Sequence, residues 1–563
     1  MLRKTLKSIF IGLAPFSAPA LSLNASALPI VDLGYELHQA SVFNSTGGFY
    51  NFSNIRYAQP PVGDLRFRAP LPPQGRNTTV DNGSVGRVCP QATPAWELIA
   101  AVFDPDYLEG KPFNLSATVA ALASESGAVP SIDPRTTEDC LFLDVVVPEK
   151  ILESASNSTN LTPAAPVLVW IYGGGFTAGD KTEYSPAGLI QASQVNNTQG
   201  IIFVALNYRL GALGWLAGPT LQSDGTANAG LYDQRLALQW VQDNIHTFGG
   251  DPNRVTVLGE SAGGGSIMHQ ITAFGGLKGP APFQQAILQS PAFQNIASNL
   301  QQETTFDAFL SLLNVSTIEE ARQLPSDALI KANIIQVANS SYGDYTFGPV
   351  VDGLFAPAIP GKLLLQGSYD HSLSLMLGHN ADEGLIFTNP AIENNTSFNA
   401  YLLSSFPTIS SSAASYIEDV LYPPIMPGTL GTTGYADETG RVVLIISEST
   451  FTCNTFYLDK AFNNQTYAYQ FSVPPALHGE DLAYTFFNGP SSSVVSDPIA
   501  VALQEYITSF VSNGRPSSGP SLPMFPIYSN ATNILDLNAT SITEILDPIA
   551  NARCDWWQKE LYV

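Results

Sequence analysis

The segment Gly259-Glu260-Ser261-Ala262-Gly263 constrains this chain more than any other. Glycines two residues to either side of a serine suit a sharp strand-to-helix turn that thrusts the hydroxyl outward, a nucleophile elbow. The flanks agree. Arg254-Val255-Thr256-Val257-Leu258 is a short β-branched run, and Gly264-Gly265-Ser266-Ile267-Met268 starts a helix whose small residues permit close packing on a sheet. The same five-residue pattern also arises in ordinary tight turns of glycine-rich chains, so a chemical role for Ser261 has to come from the rest of the sequence.

Strand-like runs recur at 167–172, 201–206, 255–258, 286–288, 373–377 and 467–471, separated by longer, partly helical stretches. That alternation predicts an α/β fold. Between two of the runs, 230–245 reads as a helix with Leu238, Val241 and Ile245 on one face and Asp233, Gln234, Gln242 and Asp243 largely elsewhere. Gly249-Gly250-Asp251-Pro252 stops it and returns the chain toward the strand that ends at Ser261. Serine-rich stretches near 410–415, 491–496 and 517–521 read as exposed loops, and nothing divides the remainder, so 21–563 is expected to be one catalytic domain.

A serine hydroxyl needs a base within hydrogen-bond reach and a third group to orient that base. Of the six histidines, His38 and His246 precede the serine and His269 lies on the helix after it. His371, His379 and His478 remain. Only His478 leaves room upstream for an acid at the end of a separate strand, and it follows the run 467–471 by a short loop. For the acid, Leu375-Met376-Leu377-Gly378 leads to Asp382 and Glu383, adjacent carboxylates between which the residues alone do not decide. Tyr172-Gly173-Gly174-Gly175-Phe176 directly follows a strand, so unhindered N–H groups there, with that of Ala262, suit an oxyanion. A phosphate loop is the other reading of a glycine triplet, but no G-K-[ST] follows it.

Length and composition suit a large globule: 563 residues, 45% hydrophobic and 13% charged. A formal charge of −24 argues against nucleic acid or an anionic membrane as partner. Basic Arg3, Lys4 and Lys7, an apolar run at 9–16 and small residues at 18–20 and 25–27 form the layout of a signal peptide, expected over 1–20 with cleavage as late as 27. No later apolar stretch reaches membrane-spanning length, and no lipid-anchor tail closes the chain, so a secreted, extracellular protein without a stable membrane anchor is expected. Sixteen N-x-S/T sequons fit a glycoprotein on that route. Four cysteines in an oxidising compartment suggest two disulfides, with three pairings open. If Cys89 joins Cys140, the bridge staples an excursion carrying Trp96, Leu98, Phe103, Leu108 and Phe113, either a packed surface segment or the wall or lid of a pocket.

The chain resembles the type-B carboxylesterase/lipase family over nearly all of its mature length. The resemblance is carried by Tyr57-Ala58-Gln59-Pro60-Pro61-Val62-Gly63-Asp64-Leu65-Arg66-Phe67, Glu138-Asp139-Cys140-Leu141-Phe142-Leu143, 172–176, Asn207-Tyr208-Arg209-Leu210-Gly211, Phe248-Gly249-Gly250-Asp251-Pro252, the elbow, Pro349-Val350-Val351-Asp352-Gly353, Asp382-Glu383-Gly384 and His478-Gly479. It implies an α/β-hydrolase fold, a large mostly parallel mixed sheet flanked by helices. It also implies Ser261 as nucleophile, Glu383 as acid, His478 as base, and an oxyanion hole from Gly174, Gly175 and Ala262. Disulfides Cys89–Cys140 and Cys453–Cys554, a buried Arg66–Glu138 ion pair and a supporting role for Ser290 follow from the same likeness.

Two positions depart from the pattern. Tyr172 stands where many relatives carry histidine, and Pro291 replaces the usual glycine after Ser290, removing a backbone donor near the pocket. The implied activity is hydrolysis of a small-molecule or lipid ester through an acyl-enzyme, with no metal or organic cofactor. The alternative is an inactive adhesion or binding relative. Lipase and esterase remain equally open, whereas no residues match an aromatic cation site of the cholinesterase kind.

Overall fold

The computed structural model describes residues 28–125, 132–156, 164–194, 198–426, 433–517 and 522–563. The expected signal peptide lies outside the described residues, as do Asn24, Asn157, Asn160 and Asn196 among the sequons.

Along the described chain run β1 (Ile30–Asp32), β2 (Glu36–Gln39), β3 (Val42–Asn44), β4 (Phe49–Arg56), β5 (Asn77–Asp81), β6 (Phe142–Pro148), β7 (Ala165–Ile171), β8 (Ile202–Leu206), β9 (Gly250–Glu260), β10 (Gln285–Gln289), β11 (Ser374–Asn380), β12 (Tyr467–Phe471), β13 (Asn533–Asn538) and β14 (Ser541–Leu546). Strands β1, β2 and β5 form a small separate sheet. The other eleven form one sheet in the order β14-β13-β12-β11-β10-β9-β7-β8-β6-β4-β3. From β8 across to β13 every pairing is parallel. The two margins are antiparallel. The protein thus has the α/β-hydrolase fold, a mostly parallel mixed sheet flanked by helices.

The parallel strands are buried on both faces, which is why β7 and β8 read as unbroken apolar runs and not as alternating ones. Each of the six strand runs read from the sequence coincides with one of β7 to β12, the widest departure being β9, which extends back to Gly250. The helix expected over 230–245 is Ala229–Asn244, followed by a 3-10 turn at Ile245–Phe248 and a left-handed Gly249, φ 87°.

Off the apolar stripe, Asp233 and Gln234 are nevertheless fully buried, Asp233 pairing with Arg209 at 2.7 Å and Gln234 donating to Ser266 Oγ at 2.9 Å. A buried charge that finds its partner across the fold leaves no local trace in the hydropathy pattern. One expectation needs correction: the stretch near 410–415 is not wholly loop. Ser410 caps a short helix, Ser411–Tyr416, by accepting from the Ala413 N–H.

The disulfides join Cys89 to Cys140 and Cys453 to Cys554. Arg66 and Glu138 form a buried bidentate pair at 2.6 and 2.8 Å. The excursion closed by Cys89–Cys140 carries the helices Glu97–Leu108 and Leu115–Glu125. Trp96 anchors it: the ring packs against Tyr342, Tyr345 and Phe387, and the indole N–H donates to the Asp344 carbonyl at 2.8 Å.

Candidate active site

Strand β9 ends at Glu260 and the helix Ala262–Ile271 begins at once, so one residue, Ser261, makes the whole turn. Its backbone is forced to φ 55°, ψ −124°, a region that costs a non-glycine residue free energy. Close packing enforces the turn: a Cβ on Gly263 would stand 2.0 Å from the Ile171 carbonyl oxygen at the end of β7. The hydroxyl is left pointing away from the sheet.

Two and three crossovers further along the chain, the loops after β11 and β12 meet over the same edge. Asp382 forms an isolated parallel bridge with Leu477, and its N–H donates to the Ala476 carbonyl at 3.0 Å. This bridge brings together the residues that follow each partner, Glu383 and His478. His478 Nε2 lies 2.8 Å from Ser261 Oγ, and Nδ1 lies 2.5 Å from Glu383 Oε2. Asp382 therefore serves through its backbone. Its side chain makes no hydrogen bond through the buried Oδ1 and does not reach His478.

Glu383 is fully enclosed and well supplied with donors. Ser290 Oγ and the Asn380 N–H each reach Oε1 at 2.6 Å. Burial alone would raise this carboxyl, but His478, Ser290 and Asn380 outweigh it and hold the group below its ordinary range. His478 is likewise disfavoured as a cation by burial, yet Glu260 and Glu383 together lift it to about 9. Its ring is held edge and face by Phe451, centroids 4.5 Å apart, and Phe387 at 5.3 Å.

The glycine loop after β7 lies against the elbow, since a Cβ on Gly173 would come within 2.9 Å of the Ser261 Cβ. Gly174 and Gly175 adopt φ of 88° and 58°. Neither N–H is spent on another protein group among the described residues, and Ala262 opens a helix, where the N–H has no intrahelical partner. The glycine loop and the helix start thus flank Ser261 with N–H groups that no described residue takes up. Tyr172 takes no part: its ring stacks on Tyr208 at 4.5 Å, and its hydroxyl bonds the Tyr208 backbone. Pro291 leaves its carbonyl to accept from Asn454 at 2.9 Å, while the next residue, Ala292, donates to the Ser261 carbonyl at 3.0 Å.

The remaining histidines stand apart. His38 bonds Glu36, His269 bonds the Gly265 carbonyl and is pushed down to about 4 by burial, and His371 stacks on Tyr369 at the surface.

Sequence reasoning missed three contributors. Glu260 faces the imidazole, Oε1 standing 3.4 Å from His478 Nε2. Burial pushes its carboxyl up to about 8 against the opposing pull of His478. Asp481 and Gln289 form a second tier: Gln289 donates to Asp481, Tyr469 and Thr485, and Asn380 Nδ2 links Asp481 to Ser290 at 3.3 Å on each side. Glu260 lies inside the elbow motif, and Asp481 three residues after His478, so position along the chain was the available signal.

A cavity of about 840 Å³ opens in front of Ser261, within the range of small-molecule sites. Gly175 and Ala262 border it, and its walls come from 292–305, 339–346, 387–407 and 446–451. No described residue of the Cys89–Cys140 excursion lines it. A serine hydroxyl bonded to an imidazole that is in turn bonded to a buried carboxylate, beside unspent N–H groups and facing an apolar and polar cavity, is an arrangement suited to acyl transfer.

A profile described as the carboxylesterase family matches residues 38–557. Carboxylesterase patB of Penicillium expansum is 42% identical over 95% of this chain and 96% of its own. Lipase 1 of Geotrichum candidum is 31% identical over 85% and 86%. Among solved structures, EstA of Aspergillus niger superposes with a TM-score of 0.77 at 26% identity, covering 95% of this chain and 98% of EstA.

Proposed function

The chain belongs to the carboxylesterase family and is a carboxylic ester hydrolase; on this ground we propose that it is a secreted serine esterase working through an acyl-enzyme, with residues 21–563 as one catalytic domain after a cleaved leader. Ser261 is the nucleophile, His478 the base that takes its proton, and Glu383 the carboxylate that holds the ring and steadies its positive charge. Gly174, Gly175 and Ala262 donate to the oxyanion of the tetrahedral intermediate. His478 then returns the proton to the departing alcohol, and water repeats the sequence on the acyl-enzyme.

The observation that carries this reading is the unbroken relay from Ser261 Oγ to His478 at 2.8 Å and from His478 to Glu383 at 2.5 Å. An adhesion relative has no need of it. The esterase reading gains over the lipase one because the candidate lid helix is pinned by Trp96 and takes no part in the cavity wall.

A fluorophosphonate should label wild type at Ser261 and leave Ser261→Ala unlabelled; a folded wild-type protein that resists the probe ends the proposal. An oil emulsion should give no jump in rate over dissolved substrate.

A further inference from the structure

The cavity in front of Ser261 carries amides and hydroxyls among its apolar residues. Asn295, Gln301, Ser449 and Thr450 line it, and among the described residues none of their side chains makes a hydrogen bond to protein. Asn389 uses its oxygen to accept from the Ala391 N–H at 2.9 Å and leaves its NH₂ unspent. These groups come from three separate segments, so one local turn does not account for them.

The cavity is also close to neutral. Asp344 is the sole charged side chain among the described residues lining it, and its carboxylate already accepts from Gln294 and from the Thr346 N–H. Among the described residues lining it, no lysine or arginine meets a carboxylate or phosphate on a ligand. Between the polar groups stand Phe293, Ile296, Leu300, Ile392, Phe406 and Ile446, which supply apolar contact for a carbon skeleton.

From these observations we infer that the cavity selects a compact, uncharged, oxygen-rich ester, one bearing hydroxyl, ether or carbonyl groups away from the scissile bond, over a long-chain fatty ester. The inference rests on the proposed nucleophile, Ser261, because it concerns what is brought to that atom. Water hydrates the free amides and hydroxyls while the cavity is empty. An alkyl chain displaces that water and leaves the polar groups unpaired, whereas an oxygenated chain replaces the bonds it removes. A site built to hydrogen-bond a substrate oxygen discriminates strongly against the analogue without it.

The test uses matched p-nitrophenyl esters on the full-length mature enzyme: hexanoate against 6-hydroxyhexanoate, and butyrate against palmitate. The hydroxylated member of the first pair should have kcat/KM about tenfold higher. Palmitate should fall at least about a hundredfold below butyrate. Asn295→Leu and Ser449→Val should each lower the hydroxylated-to-plain ratio; the wild-type ratio decides the matter by itself if either variant does not fold. A wild-type enzyme that prefers the plain chain, or that hydrolyses palmitate as fast as butyrate, overturns the inference while leaving the ester hydrolase intact. Failure of fluorophosphonate labelling at Ser261 would instead remove the proposed function beneath it.

Discussion

At the scale of single residues, the proton economy of the site turns on three carboxylates around one imidazole. In the proposed mechanism His478 must be neutral to accept the serine proton, and its pKa is raised to about 9, so the active form is lost as pH falls. The acid limb of kcat/KM is therefore expected above the ordinary histidine value of about 6.5, and it belongs to the cluster as a whole. Glu260→Gln removes the carboxylate 3.4 Å from Nε2 and should move that limb down by about one pH unit in a pH–rate profile. A limb that does not move means that Glu260 is already protonated where the enzyme works. Glu383→Gln should leave the fold intact and lower kcat by about two to four orders of magnitude, since the amide cannot steady an imidazolium and its NH₂ can face Nδ1 in place of an acceptor. Loss of less than tenfold would show that Glu383 does not orient the base.

At the scale of elements, the helix Glu97–Leu108 is docked by Trp96 but carries a liability in Asp104. That side chain is 6% exposed, its Oδ1 has no hydrogen-bond partner, and burial with the nearby Asp382 pushes its carboxyl up to about 7. An unfolded aspartate titrates near 3.9. Between about pH 4 and pH 7 the folded state thus keeps a proton that the unfolded chain releases, so stability falls through that window and the loss is complete above it. Asp104→Asn should raise the melting temperature at pH 8, by an amount corresponding to roughly 1–3 kcal/mol, and change it little at pH 4. Equal shifts at both pH values would assign the effect to packing. The helix at 229–244 carries a related lesson. Its apolar stripe was legible because Leu238 and Val241 recur at the helical period, whereas the burial of Asp233 was not, because its partner, Arg209, belongs to a different segment.

At the scale of the whole molecule, an apolar cluster packs around the central sheet, and the carboxy-terminal helix Ala552–Trp557 is tied to it by Cys554, Trp556 and Trp557. The Cys453–Cys554 bridge closes a span of 101 residues, for which loop entropy gives about 4–5 kcal/mol. Replacing both cysteines by serine should lower thermal stability by an amount of that order while leaving kcat near wild type; unchanged unfolding would mean that the terminal helix holds by packing alone. What the sequence determined by itself was local: strands by unbroken apolar runs, the elbow by glycine spacing, and the candidate nucleophile, base and glycine donors by motif and chain order. Those signals act over a few residues, through steric limits on φ and ψ and through side-chain period. The choice of Glu383 over Asp382 came from the family resemblance and not from the local residues, and only the tertiary structure decided that the Asp382 backbone clamps a loop beside it, that Glu260 faces the same ring, and that unpaired amides and hydroxyls line the cavity. The contacts among them run from position 382 to 477 and from 260 to 478, across several crossovers, and no local rule encodes them, because their distances depend on strand order and packing.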